Sequence, residues 1–399
     1  MKKIKDKSAR IGLGIIVLVV MCVIIGMAGL SCVQGLNTIG WSGGAISGDV
    51  LYVGSEEGRL VSVDMTDGSR QFAEALKSSS SSGGLFGCSS MTAGCGGTPS
   101  VAIYGTPAVS GDLVYIAGYN GKVYAYAKDG LALRWVYPRD SYLPSIVGSV
   151  VVANDIVYFG TSGGKYDGNN VGGAVLALDA FTGDPVWDSP YFTDDKIWAT
   201  PLVDSDTLYI GSFDKKVCAI DATTGVEKWT YLTEGSVIAG PLIVDNTIYI
   251  GSLDRNFYAL DAGTGAYKWS FMGENWFWSQ AVFLNGKIYA ANLDGKVYVL
   301  DPATGSLIDS YDLEESLAAS PVINGTDIIF ATRRGAVYKI DTVLNQADLL
   351  ATLEDVTING PLAINDGIIY VHTQDVELVR INADTGKVFD KVIDLKSGT

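Results

Sequence analysis

Short runs of alternating apolar and polar residues, separated by turns rich in Gly, Asn and Asp, recur along most of the chain. The stretch from Thr207 to Trp229 is representative. "LYIGS" alternates and breaks at Gly-Ser, a short loop follows, and "KVCAID" alternates again. Asp221 to Gly225 then turns the chain into "VEKW", and "WATPLVDS" upstream (198–205) supplies a fourth run. The pattern predicts four strands of about 4–6 residues in about 40 residues.

The aromatic of each "LYIGS"-like strand counts the copies: Tyr52, Tyr115, Tyr158, Tyr209, Tyr249, Tyr289, Phe330 and Tyr370. The steps between them are 63, 43, 51, 40, 40, 41 and 40 residues, so two copies carry insertions. One is a Ser/Gly-rich segment at 73–100, and the other, "SGGKYDGNNVGG" (162–173), lengthens a loop of the third copy. A sheet of four short strands cannot bury both faces alone. Packing such sheets face to face around an axis solves this, provided the ring closes. The expected fold is therefore all-β, an eight-bladed β-propeller of four-stranded antiparallel blades over residues 33–399. A superhelical solenoid is the alternative, but the repeats contain no helical stretch. Two closures stay open: residues 33–40 add an outer strand to the last blade, or the C-terminal "KVFDKVIDL" completes it.

The N-terminus breaks the pattern. Residues 1–10 form a basic flank with five Lys/Arg and one Asp, and residues 11–30 hold no charge. Twenty residues at about 1.5 Å each span about 30 Å, the thickness of a bilayer core. Residues 11–32 are thus expected to be an uncleaved anchor, a lipoprotein signal ending "AGLSC" at a lipidated Cys32, or a cleaved signal. Each reading, with the flank kept inside, places the propeller on the extracytoplasmic side of a cell membrane.

Composition narrows the function. The formal net charge is −16, and removing the basic flank leaves about −20, which argues against nucleic acid as a partner. His372 is the only histidine, so His-rich metal sites and paired-histidine chemistry are absent, and a packed or exposed strand residue is expected there. Cys218 sits in a strand pattern and reads as inert core, and Cys22 lies in the apolar span. Cys88 and Cys95 flank "SSMTAG" in the Ser/Gly-rich loop, where an oxidising compartment would permit a disulfide. Asp167, Asn169 and Asn170 are oxygen donors, but the further acids of a calcium loop are missing and a hairpin is expected. Arg333 and Arg334 read as a solvated loop. No Walker A or nucleophile-elbow pattern occurs.

The turns share a motif. "ALDAFTGDPVW" (177–187) returns in large part as "AIDATTGVEKW" (219–229) and "ALDAGTGAYKW" (259–269). The Asp and Thr can hydrogen-bond turn amides, the Gly permits a positive φ, and the Trp is large enough to cover a blade seam, with a small residue such as Ala177 leaving room nearby. Trp135, Trp187, Trp229 and Trp269 hold this place as expected structural docking residues. The pattern decays in "VLDPATGSLIDSY" and "KIDTVLNQADLL", and "RINADTGKVF" ends in Phe389.

A-x-D-x-x-T-G-x-x-x-W resembles the tryptophan-docking motif of the pyrroloquinoline-quinone (PQQ) type propeller repeat, over roughly residues 41–392. Two families share such blades: quinoprotein dehydrogenases and the BamB-type lipoproteins of outer-membrane assembly, and the overall length resembles the second. The first resemblance would imply a quinone clamped between a tryptophan and a disulfide of adjacent cysteines, with calcium and a catalytic aspartate. The chain has no adjacent cysteine pair and no C-x-x-C-H. No catalytic residue, cofactor or metal site is therefore assigned, and fold alone does not supply one.

The first strand of each blade should begin at one mouth of the central channel. Trp41, Tyr104, Val147, Trp198, Ile238, Trp278, Ala318 and Ile358 stand at that offset, and Trp276 and Phe277 precede Trp278. Trp41, Tyr104, Trp198, Trp276, Phe277 and Trp278 are the expected partner-binding rim, unless they plug the channel and pack on one another. The expected function is a non-catalytic, membrane-tethered scaffold binding other envelope proteins, BamB-like in its specific job. A quinoprotein-like oxidoreductase and a sensor ectodomain are the alternatives.

Overall fold

The alternating runs become strands and the turns between them stay tight. In the computed structural model, which describes residues 40–77, 101–374, 377–390 and 392–398, eight four-stranded antiparallel sheets follow one another along the chain. We number them as blades 1 to 8. Of two compact units, Met1–Asn37 and Thr38–Thr399, the first lies outside the described residues. So do Cys22, Cys32, and Cys88 and Cys95, and with them the expectations of a membrane span, a lipidation site and a disulfide. No helix among the described residues is long and apolar enough to cross a membrane.

Blade 4 shows how the sequence pattern is used. Its strands are Leu202–Asp204, Thr207–Gly211, Lys216–Asp221 and Glu227–Leu232, paired in chain order. The central two are buried on both faces, which is why they read as apolar runs. Tyr209 pairs with Leu202 on one side and Ala219 on the other, and Ala219 in turn faces Trp229. A bulge between Ala219 and Ile220 interrupts the register beside that tryptophan, and blades 2, 5 and 6 have a register shift at the same place.

First strands touch from blade 1 through blade 4 and from blade 7 through blade 8 back to blade 1, so the ring closes. Each of the eight seams carries its own apolar cluster. The marker aromatics from Tyr52 to Tyr370 are all buried in these clusters. Closure uses the C-terminal option: Ile393–Asp394 pairs with Glu377 and Leu378 as the outer strand of blade 8.

The second insertion folds as a hairpin, Gly164–Tyr166 against Asn169–Val171, with Asp167 and Gly168 at positive φ in its turn. Ala73 and Leu76, at the start of the first insertion, are buried in the seam of blades 1 and 2.

Candidate functional site

The docking motif operates between blades. Asp221 Oδ1 accepts hydrogen bonds from the amides of Thr223 and Thr224 at 3.1 and 2.9 Å and from the Thr224 hydroxyl at 2.9 Å. These bonds, the Thr224 hydroxyl first, hold its carboxyl below the usual range. The tightened turn aims the Ala222 carbonyl at blade 3, where it accepts from Trp187 Nε1 and Tyr158 Oη, both at 2.9 Å. The Trp187 ring lies on Gly225, whose absent β-carbon would stand 2.6 Å from Cδ2.

The same lock joins blades 2 and 3 (Trp135, Tyr115 to Ala180), 4 and 5 (Trp229, Tyr209 to Ala262), and 5 and 6 (Trp269, Tyr249 to Pro302). Gly183, Gly265 and Gly305 receive the three rings. Each lock joins a hydrogen bond contributing about 1 kcal/mol to a larger apolar term. Room for the indole is therefore made by the next blade's glycine as well as by the in-blade alanine. Phe389 does not hold a docking tryptophan's place. It sits one residue short of that offset, and the Arg380 guanidinium lies 5.2 Å from its ring centroid.

The central mouth is the other candidate site. A hollow of about 120 Å³ is lined from all eight blades, which places it on the axis. Trp41, Tyr104, Trp198 and Trp278 line it, with Val147, Ile238 and Ala318 at the same offset in other blades. Blade 8 contributes Asn359 instead of Ile358, which is buried in the seam of blades 7 and 8. Two expected rim residues part company with the rest. Phe277 is fully buried between blades 5 and 6, against Phe257 and Tyr298, so it is no surface residue: its ring completes the apolar cluster of that seam. Trp276 is 44 % exposed but does not line the hollow.

Several rim aromatics pack on neighbours. Trp41 meets Tyr104 edge-on at 4.4 Å, and Tyr104 meets Tyr119 at 5.4 Å. Trp198 donates to Ser162 Oγ at 3.2 Å and packs on Phe213 at 4.8 Å, with the Lys196 ammonium over both rings. Burial raises the pKa of Tyr104.

Below the aromatics runs a belt of hydroxyls that the sequence reading missed. The Thr106 amide donates to Ser149 Oγ at 3.0 Å, Ser149 to Thr200 Oγ1 at 3.2 Å, and Gln280 to Ser320 Oγ at 3.4 Å. Their signal was available: a Ser, Thr or Gln stands two residues after the rim position in each of these repeats.

This lining does not fit a quinone with calcium. Among the described residues it holds no carboxylate to ligate calcium and no basic side chain. Its volume is also below the roughly 300–1,000 Å³ of ordinary ligand sites. Nor do three His, Cys, Asp or Glu gather in a metal-holding group anywhere among the described residues. Cys218 is buried, its thiol pushed up to about 12 by burial.

Eight blades locked in part by tryptophan and glycine define the class: a propeller of PQQ-like repeats. The family described as "Outer membrane protein assembly factor BamB" matches residues 32–197 and 171–391, and the chain belongs to that family. Among solved structures, BamB from Moraxella catarrhalis is 21 % identical, with a TM-score of 0.63 over 84 % of this chain and 91 % of that one. The computationally designed Ika8 protein is 15 % identical, with a TM-score of 0.66 over 86 % of this chain and 95 % of that one. A europium-containing methanol dehydrogenase is 13 % identical, with a TM-score of 0.60 over 82 % and 81 %. At such identities the likeness is one of fold. A search of curated proteins gives no match.

Proposed function

We propose that this chain is a non-catalytic protein-binding scaffold, held at the extracytoplasmic face of a membrane by its N-terminal segment and working in envelope protein assembly. The observation that carries the reading is the family match, which runs through all eight blades. The central lining is consistent with it, since aromatic and small neutral groups suit contact with a protein better than redox chemistry. Trp41, Tyr104, Trp198 and Trp278, with exposed Trp276 beside them in sequence, are the contact surface in this proposal.

The test is site-specific photo-crosslinking of the full chain in native membranes, read by mass spectrometry. A photoreactive residue at Trp276 or Trp278 should capture envelope proteins that one at Leu344, in an exposed turn of blade 7, does not. Absence of protein adducts at both rim positions would overturn the reading. So would saturable quinone binding with calcium-dependent alcohol oxidation. Intact-mass analysis of the purified chain reads the state of Cys32: a lipoprotein shows processing before it and acyl mass, an anchored protein neither.

A further inference from the structure

Blade 1 ends early. Its fourth strand is Arg70–Phe72, three residues, where that of blade 4 has six. Phe72 stands at the docking offset, yet it packs in the seam with blade 8. Opposite, Leu131 takes the place of the docking glycine at φ +48° and fills the socket with its own side chain. The outer half of blade 2's face is thus left without a tryptophan cover, and a cavity of about 440 Å³ opens there.

The cavity's walls are apolar, from Leu76, Leu131, Leu133 and Val136, with the stacked rings of Tyr124 and Tyr126 6.3 Å apart. Its buried polar groups are donors. Tyr126 is 3 % exposed, and its hydroxyl makes no hydrogen bond among the described residues. Tyr124 Oη accepts from Asn120 Nδ2 at 2.8 Å, leaving its own proton to give. Lys122, 8 % exposed, gives two of its three protons to the carbonyls of Pro138 and Arg139 at 2.8 and 3.0 Å and lies 4.5 Å from the Tyr142 ring centroid. Glu74 and Lys77, both exposed and of opposite charge, also line it.

Two phenolic donors and a buried ammonium on apolar walls call for an acceptor-only, negatively charged group on an apolar body. We propose that this cavity binds a carboxylate carried on a hydrophobic body. Two sources share that chemistry, a free hydrophobic acid and the C-terminal carboxylate of a chain ending in an apolar residue. The volume falls within the range of small-ligand sites. No residue of the cavity lies in the axial lining, so failure here leaves the scaffold reading intact.

The test is calorimetric titration of the full chain in phospholipid nanodiscs, with empty nanodiscs as blank. The probes are 4-phenylbutyrate against 4-phenylbutyramide, and an acetylated tripeptide ending in phenylalanine as free acid against amide. At least one acid should bind tenfold or more tighter than its amide. Tyr126→Phe should cost that acid about tenfold and leave the amide unchanged. Leu133→Glu, at a wall residue 53 % exposed and therefore tolerant, should abolish binding of the acid. Whichever acid binds tighter identifies the source. Acid and amide binding alike, no binding by either acid, or an acid affinity untouched by both substitutions would overturn the proposal.

Discussion

A β-carbon at Gly225 would stand 2.6 Å from Trp187 Cδ2 on a backbone at φ +76°, whereas Gly130 has φ +72° and nothing within 4 Å of the same position. The pair separates two reasons for glycine. Gly130→Ala should cost about 1–2 kcal/mol, the strain of a left-handed backbone alone. Gly225→Ala adds overpacking against the indole and should cost about 2–4 kcal/mol. Urea midpoints of the two variants check this, and equal losses would mean that the ring yields freely. The motif itself was legible, since Asp, Thr, Gly and Trp recur at fixed offsets and each has a local reason. What it grips was not. Trp187 bonds to a carbonyl 35 residues on, and no local pattern says which blade's glycine receives which tryptophan. Phe277 failed for a related reason: three aromatics in a row look like surface, and only the contact between blades 5 and 6 makes the middle one core.

Strands and blades were the most legible level, because 40-residue spacing and alternation are set by burial and little else. The seams were less so, and where the motif decays the structure shows losses that go together. Blade 6 has Asp309 at the tryptophan's place, opposite Val299 where the locked blades have alanine, and blade 7 has Asn345 at φ +52° where they receive the ring on glycine. With no indole to admit, the glycine is dispensable and asparagine tolerates the backbone. Asp309→Trp alone should be neutral or destabilising, since the ring meets the Asn345 side chain. Combined with Asn345→Gly and Val299→Ala it should gain about 1 kcal/mol over the sum of the separate effects, a coupling that a thermodynamic cycle from denaturation midpoints measures. Additivity would mean that the lock needs more than these three positions. The cavity of blades 1 and 2 was illegible for the same reason: nothing local says that Leu131 fills a socket while Phe72 turns to the opposite seam.

At the scale of the ring, blade 8 is completed within itself, so the last seam holds by side chains rather than by a shared sheet. An apolar cluster joins Leu51, Val53 and Val61 to Tyr370, Leu378 and Ile393, Ser397 bonds to Glu57, and Arg70 bonds to the Asp394 carbonyl. His372 stands across the same join, its Nδ1 2.7 Å from the Ser42 carbonyl. The carbonyl can only accept, so Nδ1 carries a proton in either charge state of the ring. Burial lowers the pKa of His372 below its ordinary value, against a smaller opposing effect of the Ser42 bond. The unfolded chain, with a histidine near pH 6.5, therefore takes up a proton before the folded chain does. Stability is complete above that pH and falls as the pH drops through it, by at most about 1.4 kcal/mol per unit, until the folded state is protonated too. The carboxylates of Asp221, Asp261 and Asp301 are held below their usual range and titrate at lower pH. The chain has one histidine, and the one carboxyl that burial raises toward this window, Asp327, acts with the opposite sign, so a loss of stability between about pH 6.5 and 5 points to His372. Melting temperatures of the natural chain should decline across that window, and those of His372→Gln should stay level. Equal slopes would mean that the imidazole is free to charge in the closed ring, and that the first and last blades meet without excluding water from it.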